Sequence, residues 1–314
     1  MFNNVLVGLD DGDGGRDAVA LAKMLAAPGS NITLAQVYQG DSKVSRASSP
    51  GYEAKQHDRI RELLENRRAE AGLDAELRWY GSSSVGRGLH ELAELTGADL
   101  LVIGSSRRGL LGRILIGDDT SAALNGAPCA VAIAPAGYCR ETVVMREVGV
   151  GYDGSPESKG ALALARIVAA EHQTMLSAFH AISSPAYLYL GNLQTAAPID
   201  VEPIQREVSE AAERIAALGG VEPHSAYGDP VEELTLYSAS LDLLVIGSRG
   251  YGPLGRLVYG GVAQRLARTA RCPLLVLTRP ANRVASGEDK LGEPAVEERE
   301  HVGGDLVQRA VGSH

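Results

Sequence analysis

The residues best suited to chemistry in this chain come in pairs. Two short apolar runs end in an aspartate: VLVGLD at Asp10 and VGVGYD at Asp153. Two glycine-dense segments follow the runs ADLLVIG and LDLLVIG: GSSRRGLLGRILIGDD from Gly104 and GSRGYGPLGRLVYGG from Gly247. They align without a gap, matching Gly104 with Gly247, Gly109 with Gly252, Gly112 with Gly255 and Gly117 with Gly260. A carboxylate at the end of a strand can accept hydrogen bonds from ribose hydroxyls. A glycine-rich turn can bring backbone N–H groups against phosphates, and a following helix N-terminus adds positive potential. Each feature also has a plainer reading, the aspartate as a helix N-cap and the glycines as suppliers of positive φ. Recurrence of both features at matching spacing turns the balance toward a phosphate-ligand site, present or ancestral.

Placing these residues together requires a particular architecture. Each half opens with its aspartate-tipped strand and continues with an Ala- and Leu-rich helix pattern, GGRDAVALAKMLAA or SPESKGALALARIVAA. Strand ITLAQVY or TMLSAFHAI comes next, then the helical segment EAKQHDRIRELLENRRAEAG or VEPIQREVSEAAERIAALGG. A short strand to Gly81 or Gly228, another helix, the DLLVIG strand, the glycine run and a last strand, CAVAIA or CPLLVL, complete the unit. Strands alternating with long helices indicate parallel βαβ units, and strands apolar throughout fit a sheet covered on both faces. The expected fold is α/β: two repeated, doubly wound, open five-stranded parallel sheets of order 3-2-1-4-5, forming a pseudo-twofold tandem. That order makes strands 1 and 4 neighbours at the switch point where open α/β sheets bind ligands. The domains are residues 1–138 and 146–279, joined through PAGYCRETVVMRE, with a flexible tail over 280–314 that lacks apolar periodicity.

Composition narrows the function. In 314 residues the net charge is −9, which argues against a nucleic-acid surface. No apolar stretch reaches the roughly 20 residues of a membrane span, and MFNNVLVGLDDG lacks the marks of a signal peptide, so a cytoplasmic protein is expected. Cys129, Cys139 and Cys272 form no CxxC pair; Cys129 and Cys272, at equivalent positions, read as small buried hydrophobes. GYGPLG fits GxGxxG, but it follows a late strand and no acid lies downstream, so a dinucleotide fold is rejected. GxxxxGK[ST] is absent, and so is an SGGxDS pyrophosphatase loop.

VGYDGSPESKGALALA, DLLVIGSRG and the Gly-x2-Gly-x9-Gly spacing together resemble the universal stress protein family, and the resemblance covers both halves. It implies the adenine-nucleotide-alpha-hydrolase-like fold and, in one branch of that family, ATP held by Gly-x2-Gly-x9-Gly-Ser/Thr and by the strand-1 aspartate. Carried over, the second half keeps Asp153, Gly247, Gly250 and Gly260, while Gly261 and Ala263 replace both hydroxyl residues. The first half keeps Asp10, Gly104 and Gly117, with Arg107 at the second glycine, Asp118 at the first hydroxyl position and Thr120 at the second. Losing a hydroxyl removes about 0.5–1.5 kcal/mol and spares the backbone donors; Asp118 would repel phosphate unless a cation such as Mg intervenes. Arg107, Arg108 and Arg113, or Arg249 and Arg256, are either counter-charges or solvated helix starts.

The candidate nucleotide-binding set is therefore Asp153, Gly247, Arg249, Gly250, Gly260, Gly261 and Val262, and in the degenerate first half Asp10, Gly104, Gly117 and Thr120. The expected function is a non-enzymatic stress-response module binding ATP, or AMP or ADP, mainly in the second domain. It would signal through the pairing of its halves or through a protein partner. The alternatives are a ligand-free interaction pseudo-dimer and, less favoured, a slow ATPase. His180, ending strand 2 opposite a first-half counterpart Tyr38, is read as structural and not as a base. AYLYLGNLQ reads as a loop packing on its own domain, with a partner patch as the alternative.

Overall fold

The computed structural model describes residues 1–39, 50–105, 122–140, 144–183, 202–248 and 261–277. Its first half runs β1 (Phe2–Gly8), α1 (Gly14–Leu25), β2 (Ala26–Gln39), α2 (Pro50–Ala71), β3 (Ala75–Ser82), α3 (Val85–Thr96), β4 (Leu100–Gly104) and β5 (Ala130–Ala134). The second half runs β6 (Glu147–Gly151), α4 (Pro156–His172), β7 (Met175–Ile182), α5 (Glu202–Ala216), β8 (Glu222–Tyr227), α6 (Pro230–Tyr237), β9 (Leu243–Gly247), α7 (Gly261–Thr269) and β10 (Leu274–Leu277). AYLYLGNLQ, residues 280–314 and both glycine runs beyond Ser105 and Ser248 lie outside the described residues, apart from Gly261 at the end of the second run.

Each half has the strand order 3-2-1-4-5, and the two sheets join into one ten-stranded sheet, β3-β2-β1-β4-β5-β10-β9-β6-β7-β8. All pairings inside a half are parallel. The join is antiparallel, with Leu274 opposite Ile133 and Val276 opposite Val131. The order reads the same from either end about β5 and β10, which is the pseudo-twofold relation of the tandem.

Alternation along the central strands sorts side chains to two cores. Val5, Val7, Leu100 and Val102 face a cluster containing α1 and α4 residues such as Leu21 and Val168. Leu6, Leu101 and Ile103 face the opposite cluster with Leu89, Leu234 and Leu266 of α3, α6 and α7. Both clusters draw residues from both halves, so the apolar interior continues across the join. On the α1 face the halves also meet through His172, whose Nε2–H donates to the Met24 carbonyl at 2.9 Å.

Helix ends follow local chemistry. Ser155 caps α4, its Oγ accepting the Ser158 N–H at 3.2 Å with Pro156 in the first turn. Gly97 in the left-handed region, φ 61°, closes α3. The connection between halves is anchored by a buried carboxylate: Asp17 of α1, 2% exposed, accepts the N–H groups of Gly137 and Cys139, each at 2.8 Å.

Candidate functional site

Because β1 lies beside β4, and β6 beside β9, each aspartate and the leading glycine of its segment, Gly104 or Gly247, converge on the carboxyl edge of the sheet. Both aspartates are exposed and engaged in the same local turn. Asp10 Oδ1 accepts the Gly12 N–H, and Asp153 Oδ1 accepts the Ser155 N–H, each at 3.0 Å. The helix N-caps themselves are Asp13 and Ser155, so neither Asp10 nor Asp153 is the cap.

Gly104 and Gly247 have a role that precedes any ligand. A Cβ on Gly104 would overlap the Gly14 carbonyl, and a Cβ on Gly247 would overlap the backbone of Glu157. Gly14 and Glu157 occupy equivalent positions in the first turns of α1 and α4. The strand-4 glycine thus lets the first helix sit directly on the strand end, in both halves.

The two crevices differ in size. In the second half the space between β6, β7, β9 and the start of α7 measures about 630 Å³ and is bordered by Asp153, His180, Ser248, Gly261 and Val262. In the first half the equivalent space, bordered by Asp10, Gln36, Gly104 and Ala123, measures about 120 Å³. The first-half loop is drawn in by its neighbours. Gln36 Nε2 donates to Asp11 Oδ1 at 3.2 Å. Arg67 of α2, nearly buried, donates to the Gly12 carbonyl at 3.2 Å and shares Glu70 with Arg16. These cations hold the Glu70 carboxyl down at about 2. The second-half loop turns through Gly154, φ 79°, into a locally capped helix.

A model of the universal stress protein family matches the chain twice, over residues 1–135 and 145–278. The chain belongs to the universal stress protein family. A universal stress protein of Mycobacterium tuberculosis is 33% identical over 190 residues, 57% of this chain and 61% of that protein. The chain thus spans about three fifths of that relative. One from Thermus aquaticus is 32% identical over 143 residues, 43% of this chain and 99% of that protein. Among solved structures, a universal stress protein from Archaeoglobus fulgidus superposes with a TM-score of 0.63 at 18% identity, covering 88% of this chain and 98% of that one. At that identity the likeness shows the fold, a tandem of two universal stress protein domains.

Against this family frame, the predicted site residues divide into two groups. Asp153, Gly247, Gly261 and Val262 meet at one cavity, and Asp10 and Gly104 at the smaller one. Arg249, Gly250, Gly260, Gly117 and Thr120 lie outside the described residues, as do Arg107, Arg108, Arg113, Asp118 and Arg256. Gly261 and Val262 open α7, whose N-terminal N–H groups and positive dipole end border the cavity. Among the described residues no cluster of His, Cys, Asp and Glu is placed to hold a metal ion, and no helix is long and apolar enough to cross a membrane.

His180 needs a correction. Ala35 and Phe179 pair with the equivalent glycines Gly8 and Gly151, so the counterpart of His180 is Gln36, not Tyr38. The second half carries one extra residue between the positions of Gly151 and Phe179. His180 borders the cavity; burial, followed by the nearby Arg214, pushes its pKa below 6.5, while Asp153 pulls the other way.

Two residues escaped sequence reasoning. Ser105 and Ser248 follow the strand-4 glycines; both are buried, at 4% and 1% exposed, and neither hydroxyl has a partner among the described residues. The buried cysteines behave as read, with burial pushing the Cys129 thiol up to about 12 and Cys272 up as well.

Proposed function

We propose that this universal stress protein is a non-enzymatic module that takes an adenine nucleotide, ATP or its AMP or ADP relatives, in the second-half crevice and responds through conformation or a protein partner. The observation that carries the reading is the inequality of the two crevices. A volume of about 630 Å³ lies in the range of small-ligand pockets, roughly 300–1,000 Å³; about 120 Å³ does not. The larger space has chemistry suited to a nucleotide. The α7 N-terminus faces it as an anion-favouring end, and the Asp153 carboxylate stands at its rim for ribose hydroxyls. Phe179 and Ile182 add apolar wall for a base. Bound nucleotide would supply charge and a rigid filler between β6, β9 and α7. The chain's own residues orient it and exclude water from its base.

A second reading rests on a specific observation. Gly104 and Gly247 are accounted for by helix packing, and one oxygen of each aspartate by a local turn. The motif could then persist for folding alone, leaving a ligand-free interaction protein. The two readings part on one experiment: mass spectrometry of small molecules released from the natively purified protein, followed by calorimetric titration with ATP and magnesium. About one adenine nucleotide per chain, or saturable heat at one site, supports the module. Neither signal leaves the interaction protein.

A further inference from the structure

The hydroxyls expected at the head of α7 are absent, since Gly261 and Ala263 stand in their places. Ser155, Ser158, Ser183 and Ser248 nevertheless border the same cavity, and Ser155 and Ser158 spend their hydroxyls on the α4 cap. Gly261 and Val262 border that cavity at the start of α7, and Ser248 does so immediately after β9. Its residue is 1% exposed, and its Oγ has no hydrogen-bond partner among the described residues. Its backbone is fixed, the N–H donating to the Leu277 carbonyl at 3.0 Å. Only the side chain is uncommitted.

A buried hydroxyl without a partner is unfavourable, because its hydration is lost and not replaced. Alanine would fill nearly the same space at no such cost. The first half sharpens the point. Ser105, its counterpart, is equally buried and also without a partner, yet it does not border the collapsed first crevice. The same hydroxyl occurs twice, but only one copy adjoins a ligand-sized space.

We infer that Ser248 is a ligand-contacting residue of the second-half site, its hydroxyl standing in for those missing at Gly261 and Ala263 by bonding a phosphate or ribose oxygen of the nucleotide. The inference rests on the proposed nucleotide reading and adds a residue and a direction of approach to it. A serine side chain reaches any of three staggered positions by rotation about χ1. The hydroxyl can therefore swing toward a ligand oxygen while the strand end and α7 stay in place. The nucleotide then approaches the end of β9 as well as the head of the helix.

The test is calorimetric titration of the full chain with ATP and magnesium, run on the wild type, Ser248→Ala and Ser105→Ala, beside urea unfolding of each without nucleotide. Ser248→Ala is expected to weaken binding by roughly two- to tenfold, the worth of one neutral hydrogen bond, while its nucleotide-free unfolding midpoint stays level or rises. Ser105→Ala is expected to shift stability alike and leave affinity unchanged. A wild type that binds no nucleotide would sink the underlying reading, and this inference with it. A wild type that binds, with Ser248→Ala binding equally well, would overturn the inference alone. Equal weakening in both variants, or a lowered midpoint in Ser248→Ala, would mean that Ser248 acts through folding. If Ser248→Ala does not fold, Ser248→Cys keeps the size with a weaker donor, and unchanged affinity there likewise counts against the hydroxyl.

Discussion

The two halves of this universal stress protein share a frame and differ in what closes over it. Both place an aspartate, a close-packed glycine and a buried serine at the carboxyl edge of the sheet. In the first half α1 begins after Asp13, which makes no side-chain cap, and its loop is held from outside by Arg67 and Gln36. In the second half α4 has its own serine cap, and the crevice beside it is about five times larger. The difference separates two kinds of residue that motif reading merges. Those that recur with the same contacts in both halves serve the scaffold. Those whose surroundings differ are the candidates for ligand chemistry.

The largest expected effects test the shared frame. Gly104→Ala and Gly247→Ala each force a Cβ into the backbone of the adjoining helix. A backbone collision cannot be relieved by moving a side chain, so each should cost about 3 kcal/mol or more, read from urea unfolding. The comparison requires similar losses in the two halves. A Gly247→Ala protein of unchanged stability that loses only ligand binding would break it. Asp17→Ala comes next. It removes the buried acceptor of the Gly137 and Cys139 N–H groups, two charge-assisted bonds whose loss should cost about 2–3 kcal/mol. Gly160 occupies the equivalent position in α4, so this anchor belongs to the first half alone. Proteolysis of the connection between halves should accelerate in the variant.

The sequence carried the frame because its signals are local and repeated. Apolar runs set the strands, alternation with helices set the parallel order, and Asp10 and Gly104 had to share a crevice once β1 and β4 were neighbours. What stayed hidden depends on contacts between distant residues. The clasp on the first crevice joins Arg67 to Gly12 across 55 residues. One clue was available: Arg67 falls in helical register with the buried Ile60 and Leu64, a position where an apolar residue is expected. The start of β2 was hidden too: the strand read as ITLAQVY begins at Ala26, which already pairs with Phe2 ahead of an irregularity in register. Nothing in the letters GS distinguishes a solvated serine from one buried without a partner.

A moderate effect sharpens the ligand side of the comparison. A Cβ at Gly261 would meet nothing within 4 Å, so Gly261→Ser returns a hydroxyl to the head of α7 without a clash. If nucleotide binds beside that turn, affinity should rise by roughly two- to tenfold in calorimetric titration with ATP and magnesium. No change would place the phosphates away from the start of α7.

The smallest effect concerns a position where the crevices differ in titratable chemistry, His180 against Gln36. His180 is held below its ordinary pKa of 6.5 by burial and then by Arg214, with Asp153 opposing. A histidine so depressed stays neutral in the folded chain after the unfolded chain has begun to take up protons. Stability is therefore complete above about pH 6.5 and declines as pH falls from there toward the lower folded pKa, because the unfolded state binds more protons across that window. Below the folded pKa no further loss accrues from this group. His180→Gln, which copies the first half, should remove that part of the acid sensitivity and leave stability near pH 8 little altered. Urea unfolding at pH 7.5 and 5.5 should show a smaller drop in the variant than in the wild type. An equal drop would mean that His180 is as readily protonated in the crevice as in water, and that the second crevice is open enough for solvent to screen its rim.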